Sequence, residues 1–587
     1  MDNERVAAVL SEIGVLLELQ GENPFKVRAY QNAARAIEGL AERIDDLARE
    51  DRLQEIPGIG EAIAKKVATL ATTGDLPYHR ELRETVPPGI FDVLRVRGLG
   101  PKKAKRLWKE LGVLDLRSLR KACRDDRVKD LAGFGEKSQR MILEGIAFLE
   151  KAADRSLLGE ALPLARELVA ALTECPAVQR ASLAGSIRRG KETIGDLDLV
   201  ASSDDPEGVM EFFTGIVPDA ETIARGRTKT SIRLESGIQA DLRVVGGSEF
   251  PACLAYFTGS KEHNVRVRTL AASLGFKVNE YGVFREGSEK PEDIPDEEAL
   301  YRALGLAYVP PELREDRGEI EAAREGKLPV LVEERDVKGV LHCHSIWSDG
   351  RASIHEMALA AKALGMKYLG IADHSKAAHY AGGLDEKKLV LQAAEIDAVE
   401  KRVKGLRILR GSEVDILADG SLDFADEVLA GLDFVVASVH SKFGMSEDEM
   451  TARIVRAIEN PFVDCLAHPT GRLLLAREGY RVNLEKVIEA AARTWTFLEI
   501  NGNPRRLDLD AVWARRAAQA EVKILLGPDA HDTEGLADTE YALLTARRAW
   551  LTKDDVANSL PVTRLLASLR RRRNPEAKRA RKPRKRG

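Results

Sequence analysis

After residue 337 the chain repeats a single arrangement, a short apolar run that ends in histidine or an acid, followed by an amphipathic stretch. The runs are GVLHCHSIWSDG (339–350), YLGIADHS (368–375), RILRGSEVDI (407–416), FVVASVHS (434–441), VDCLAHPT (463–470) and ILLGPDAHD (524–532). Helical periodicity fills 353–365, 385–404, 446–459, 484–494 and 508–521. Alternating strands and helices fold as a parallel sheet with crossover helices, and polar residues at strand C-termini collect on one face of an α/β barrel. The residues brought to that face are His342, His344, Asp349, His374, Glu413, His440, His468, Asp529 and His531. On a strand His342 and His344 share a face and Cys343 takes the other, which leaves the thiol out. Imidazole and carboxylate ligands suit Mn²⁺, Zn²⁺ or Fe²⁺, and such ions activate water against a phosphate ester.

The first 155 residues are helical and are interrupted by three similar turns: IPGIGEAIAKKVATL (56–70), VRGLGPKKAKRLWKEL (96–111) and LAGFGEKSQRMILEGI (131–146). Each sets a Gly-x-Gly (Gly58 and Gly60, Gly98 and Gly100, Gly133 and Gly135) before an amphipathic helix. Backbone N–H groups exposed at a helix N-terminus favour a phosphate oxygen whatever the base sequence. The repetition predicts binding to a nucleic-acid backbone.

Between these regions lies LAGSIRRGKETIGDLDLV (183–200). Asp196 and Asp198 are two apart, so on a strand their carboxylates face one side, and Asp241 sits in a second strand-like run, IQADLRVV. Close carboxylates repel unless a cation lies between them, and three of them can hold two Mg²⁺ ions for in-line phosphoryl transfer. Gly185-Ser186 opens a turn, with Arg188 and Arg189 placed to meet polyphosphate charge.

GSIRRGKETIGDLDLV and AYFTGSKEHNVRVR (255–268) resemble the nucleotidyltransferase signature and nucleotide-binding segment of family X DNA polymerases. The resemblance covers about residues 1–315. It implies that Asp196, Asp198 and Asp241 carry the catalytic Mg²⁺, that Ser186 and Arg189 hold the triphosphate, and that Tyr256, Phe257, Gly259 and Asn264 line the nucleotide pocket, with His263 beside them. Animal repair members have an acid where this chain has Lys261, which implies tighter nucleotide binding that depends less on metal. The first 80 residues resemble the family's lyase domain. There Lys66 matches the Schiff-base lysine, Lys26 and Tyr30 match residues near the phosphate, and Ala62 replaces a basic residue; a solvated helix lysine or a plain DNA contact are the alternatives for Lys66.

The histidine-rich segment resembles the PHP domain over roughly 337–550. That implies a distorted seven-stranded barrel with up to three Mn²⁺ or Zn²⁺ ions. One ion would be held by His342, His344, Glu413 and Asp529, a second by Glu413, His440 and His468, and a third by Asp349, His374 and His531. All nine positions carry ligand types, so an active site is expected. His79 and His355 read as surface residues, and so does His379, beside Gly382-Gly383, with a contact to substrate phosphate as its alternative.

At 587 residues the chain needs several domains. The expected fold is multidomain, α+β and α/β: a lyase-like helical domain with a helix-hairpin-helix (1–80), a helical DNA-binding domain with two more (81–155), a nucleotidyltransferase palm (156–255), a thumb (256–315), a linker (316–336), a (β/α)7 PHP barrel (337–569) and a basic disordered tail (570–587). The tail carries eleven Lys/Arg and one Glu, within a net charge of −4. It reads as a phosphate-binding arm. Five scattered cysteines without CxxC spacing argue against a disulfide framework, and no run is apolar enough for a membrane helix, so a cytoplasmic monomer is expected. The expected function is gap filling in base excision repair on gapped or primed duplex DNA with dNTPs, joined to 3′-5′ exonuclease, 3′-phosphatase or abasic-site incision chemistry. The rivals are a phosphatase of a small metabolite with an inert front end, and a DNA-end-binding scaffold without catalysis.

Overall fold

The computed structural model describes residues 3–573, apart from 39, 41, 57, 97, 218 and 219. The amino-terminal part is helical to residue 152 and is built on one continuous apolar core that runs from Val6 to Leu149. The two helical units expected there therefore share a single interior. In each hairpin the first glycine takes a left-handed conformation (φ 86°, 80° and 80° at Gly58, Gly98 and Gly133). The second then caps the following helix, at Glu61–Thr73, Pro101–Leu111 and Glu136–Ala152. No neighbouring atom lies within 4 Å of where a Cβ would stand at Gly58, Gly60, Gly98, Gly100 or Gly135, so these turns are open to a ligand.

A short pair, β1 (Ser156–Leu157) with β3 (Thr193–Ile194), leads into the palm sheet. That sheet contains β2 (Arg180–Leu183), β4 (Asp196–Ser202), β5 (Glu221–Arg225), β6 (Lys229–Arg233) and β7 (Gln239–Val245), in the order β2-β4-β7-β6-β5. Alternation sets its core: Leu197, Leu199 and Ala201 of β4 join Ala240, Leu242 and Val244 of β7 under the helix Leu158–Thr173. The thumb contributes the helices Phe250–Thr258 and Lys261–Ser273 and the hairpin β8 (Phe276–Asn279) with β9 (Gly282–Arg285).

The expected linker is a packed strap rather than open chain. It contains the helix Glu319–Arg324, Ile320 and Ala323 enter the thumb core, and Val332 enters the next core. The final unit is a seven-stranded parallel sheet in sequential order: β10 (Gly339–Val340), β11 (Tyr368–Ile371), β12 (Arg407–Asp415), β13 (Phe434–Ser438), β14 (Cys465–Leu466), β15 (Phe497–Asn501) and β16 (Ile524–Gly527). Outward residues such as Val435, Leu498 and Ile500 pack on the crossover helices, while Leu409, Phe434, Phe497 and Leu525 fill the interior.

The sheet is nearly closed into a barrel. Cys343 bridges Ala530 in parallel, and the Asn558 amide donates to the carbonyls of both Gly339 (2.8 Å) and Leu526 (2.9 Å) across the seam. Leu565 and Leu569, from the closing helix Val562–Arg573, join the interior cluster. The expected disordered tail is corrected at its start, since 570–573 continue this helix, and the rest of it lies outside the described residues.

Candidate active sites

In the palm, β4 and β7 run parallel with Asp198 opposite Asp241. Two-residue alternation adds Asp196 on the same face, and one carboxylate oxygen of each residue lies within 4.8 Å of the others. Burial and the neighbouring charges of Asp196 and Asp241 push the Asp198 carboxyl up to about 7. A divalent cation would relieve that repulsion, so the triad fits the metal its chemistry implies. The sequence reading missed two partners. Lys229 Nζ lies 2.7 Å from Asp241 Oδ2, and Gln239 donates to Asp241 Oδ1 at 2.8 Å.

Gly185 is needed because a Cβ there would stand 2.0 Å from Asp198 Oδ2. Ser186 follows it in the turn Gly185–Arg188, half-buried. Both arginines of this motif are engaged inside the protein. Arg188 forms a two-pronged bond to Glu297 (3.0 and 2.5 Å), bracing palm against thumb. Arg189 bonds Glu315 at 3.0 Å and donates to the Thr258 carbonyl. Nearby, Asn264 donates to the Tyr256 carbonyl at 2.7 Å, and the Tyr256 and Phe257 rings meet edge to face at 5.2 Å. Lys261 is exposed at the start of its helix, and Gly259 lies directly before that helix's N-cap, Ser260. His263 does not line a pocket. It is buried between Glu319 (2.7 Å) and the Tyr301 hydroxyl (2.8 Å), a core strut tying the strap to the thumb.

In the first unit Lys66 is half-buried on its helix, donates to the Ala62 carbonyl at 3.2 Å and stands 5.0 Å from the Tyr78 ring, which stacks on Tyr30 at 6.3 Å. Tyr30 is in the core, and Lys26 pairs with Glu22 at 3.6 Å. His79 is not a free surface residue, since it pairs with Glu12 at 3.3 Å.

All nine histidine and acid positions of the barrel converge at the C-terminal ends of its strands. His342 and His344 stand just past β10, while Cys343 turns into the outer core. His342 Nε2 lies 3.6 Å from Glu413 and 3.4 Å from Asp529; His344 Nε2 lies 3.7 and 3.3 Å from the same pair. His440 and His468 approach Glu413 Oε1 at 3.3 and 3.0 Å. His374 and His531 each stand 3.5 Å from Asp349 Oδ2. His344 also belongs with the Asp349 group, and His374 with Glu413 and His440, so the three sets share members.

Burial and the neighbouring His531 and His374 hold the His344 imidazole down at about 4, the neutral form a metal requires. His342 Nε2 and both His344 nitrogens are buried without a hydrogen-bond partner, while His374 Nδ1 stands 2.8 Å from Glu413 Oε2. Unsatisfied buried lone pairs on converging ligands fit a bound ion.

Three supporting acids surround the cluster: Glu499 lies on a strand that carries no histidine motif, while Asp373 and Asp415 lie in motifs already singled out, close to His374 and Glu413. Glu499, inside β15, accepts from His342 Nδ1 at 2.7 Å, and Gly527 is small because a Cβ there would meet Glu499 Oε1 at 1.9 Å. Asp415 pairs with His440 at 3.3 Å, and Asp373 fixes the Ser345 and Ser348 hydroxyls at 2.6 Å each. The signal that could have found β15 is TFLEIN, an apolar alternation between two helical segments.

Four stretches match known families: a helix-hairpin-helix domain over residues 1–76, a SAM-like helix-hairpin-helix tandem over 90–147, the DNA polymerase beta thumb over 253–315 and the PHP domain over 341–502. A probable phosphatase of Thermoanaerobacter sp. (strain X514) is 32% identical over 236 residues, 37% of this chain and 89% of that protein. Another, of Syntrophotalea carbinolica, is 26% identical over 37% of this chain and 90% of its own. These phosphatases match the PHP region alone. The protein of Bacillus subtilis (strain 168) named DNA polymerase/3′-5′ exonuclease PolX is 39% identical over 575 residues, 97% of this chain and 100% of that protein. Likeness at that level through hairpins, palm, thumb and barrel means that the chain belongs to the bacterial family X DNA polymerases with a C-terminal PHP domain.

Proposed function

We propose that this protein fills short gaps in DNA by template-directed dNTP addition in the palm and processes 3′ ends in the PHP barrel, acting as a cytoplasmic monomer. The observation that carries the reading is that one chain holds two separate converging ligand groups, the palm triad and the barrel cluster. No helix among the described residues is long and apolar enough to cross a membrane.

In the palm, Asp196, Asp198 and Asp241 would hold Mg²⁺, which lowers the pKa of the attacking hydroxyl and stabilises in-line transfer. Ser186 and Lys261 face the triphosphate, and Arg189 exchanges Glu315 for it. Tyr256, Phe257, Gly259 and Asn264 shape the nucleotide pocket. In the barrel, His342, His344, Glu413 and Asp529 form one ligand set, Glu413, His440 and His468 a second, and Asp349, His374 and His531 a third. Mn²⁺ or Zn²⁺ there would supply activated water and neutralise a phosphate ester. The product is a trimmed or unblocked 3′ end, by exonuclease or phosphatase chemistry, with abasic-site incision as a further reaction. Gly58, Gly60, Gly98, Gly100, Gly133 and Gly135 grip the backbone, and Lys66, with Lys26 and Tyr30 in the same unit, is the lyase nucleophile. A metabolite phosphatase with an inert front end would leave the palm triad without a use.

The test is a pair of double variants on a gapped, primed duplex. Asp196→Ala with Asp198→Ala should abolish extension and leave 3′ degradation, and His342→Ala with His344→Ala should do the reverse. Loss of both activities in either variant, with folding intact by circular dichroism, would overturn the two-site reading.

A further inference from the structure

The mouth of the barrel cluster carries an aromatic ring that its own fold does not bury. Tyr380 lies on the short turn His379–Ala381 and is 55% exposed, yet its ring centroid is 6.3 Å from both His374 and His440. The loop beneath it is firmly held. Ser375 bridges Leu384, the Leu384 N–H donates to the His374 carbonyl at 2.8 Å, and the Ala377 N–H donates to Asp423 at 2.6 Å. Ala378, Ala381 and Leu384 are buried, so the loop turns its aliphatic residues inward and leaves the Tyr380 ring, with His379 beside it, outside. Next to this loop, where Gly382 approaches Ser348, the turn after β10 exposes a second apolar side chain, Ile346, at 53%.

A cation stands at the same opening. Arg506 Nε is 3.6 Å from Asp529 Oδ2, its side chain is 21% exposed, and the Arg506 carbonyl is fixed by Arg472 Nε at 2.9 Å. Both side chains border the one cluster: Asp529, beside Arg506, is 3.3 Å from His344 Nε2, and the His344 ring lies 4.5 Å from that of His374, beside Tyr380. An apolar ring and a guanidinium above a metal-ligand cluster match the two faces of a nucleotide, its base and its phosphodiester.

We infer that Tyr380 and Arg506 form a nucleotide subsite of the barrel, in which Tyr380 stacks on the unpaired 3′-terminal base of a DNA strand while Arg506 takes the phosphodiester next to the cluster. This rests on the 3′-end-processing reading above and names its substrate class. A paired terminal base is tied to the opposite strand by Watson–Crick bonds and to its neighbour by stacking, so bringing its phosphodiester down to the cluster beneath the ring requires the end to unpair. The site therefore takes single-stranded or frayed ends, without regard to base identity, because every base has a π-face.

The test compares wild type, Tyr380→Ala, Tyr380→Phe and Arg506→Ala on two single-stranded oligonucleotides with Mn²⁺. One ends in a 3′ thymidine and the other in a 3′ tetrahydrofuran residue, which keeps the phosphodiester but lacks the base. Wild type should prefer the base-bearing end in kcat/KM. Tyr380→Ala should cut that preference about tenfold, a loss within the range of one base–aromatic stack, and Tyr380→Phe should keep it. Arg506→Ala should slow both substrates together. Mn²⁺ content measured by mass spectrometry shows whether the cluster beneath is intact in each variant. An unaltered preference in Tyr380→Ala with its Mn²⁺ retained would overturn the subsite alone. Wild type that cleaves neither substrate would overturn the reading of the barrel, and the subsite with it.

Discussion

Glu499 supports the barrel cluster from beneath. It accepts the Nδ1 proton of His342, which leaves Nε2 as the lone pair facing Glu413 and Asp529, and its other oxygen takes the His468 backbone N–H at 2.8 Å. A carboxylate behind a ligating imidazole fixes the tautomer and raises ligand basicity. Glu499→Gln keeps the shape and removes the charge, so Mn²⁺ affinity, measured by titration against a competing chelator, should fall roughly 10- to 100-fold while primer extension persists. Unchanged affinity would show that His342 needs no such support. Most of the nine converging positions were legible because they end an apolar run with a side chain whose burial is costly, and Asp349 because it lies in the turn after one. Glu499 was not, because within TFLEIN it reads as one polar residue in a core strand and its partner lies 157 residues away. Glu315, 126 residues on, pairs with the Arg189 guanidinium at 3.0 Å, a partner that the motif alone does not reveal.

Among elements, the glycine hairpins were legible as local events, since each needs only a left-handed glycine followed by a helix N-terminus. A side chain in that conformation costs about 1–2 kcal/mol. Gly58→Ala with Gly98→Ala should therefore distort both turns and weaken duplex binding by about tenfold, read by fluorescence anisotropy on two duplexes of unrelated sequence. Equal weakening on both is expected of backbone recognition, and a loss confined to one would refute it. Less legible were elements whose existence depends on tertiary packing. The strap at 316–336 reads as a linker because its apolar residues are few and scattered, and they face two different cores: Ile320, Ala323 and Leu331 the thumb's, Val332 the barrel's. The last helix was cut short in the sequence reading because its charges outweighed the i, i+4 pair Leu565 and Leu569.

Across the whole molecule, palm and barrel are joined through cores as well as charges. Leu507, Tyr541 and Leu544 pack on the palm core, Arg472 pairs with Glu192 at 2.7 Å, and Glu315 sits between Arg189 (3.0 Å) and Arg548 (3.2 Å). Burial alone would raise the Glu315 carboxyl, but Arg548, Lys191 and Arg189 outweigh it and hold it at about 2, below its ordinary 4.5. A depressed acid stabilises the fold above its unfolded pKa and loses that contribution as pH falls toward the folded value. Glu315→Gln should thus lower stability near neutrality by on the order of 3 kcal/mol, and the gap from wild type should close between pH 4.5 and 2. Denaturant melts across that window check this, and a gap independent of pH would show that the carboxylate charge contributes nothing.

Asn558 sets the timing of the whole assembly. It ties the first barrel strand to the last, yet it follows Gly339 by 219 residues. At a synthesis rate of about 5–20 residues per second, the opening strand waits roughly 10–45 seconds for the residue that closes the seam. Throughout that interval the nascent barrel is a sheet with two unpaired edges, exposed to pairing with other chains. A ribosome stalled between His531 and Asn558 would leave all nine converging positions synthesised on a barrel without the amide that ties its seam.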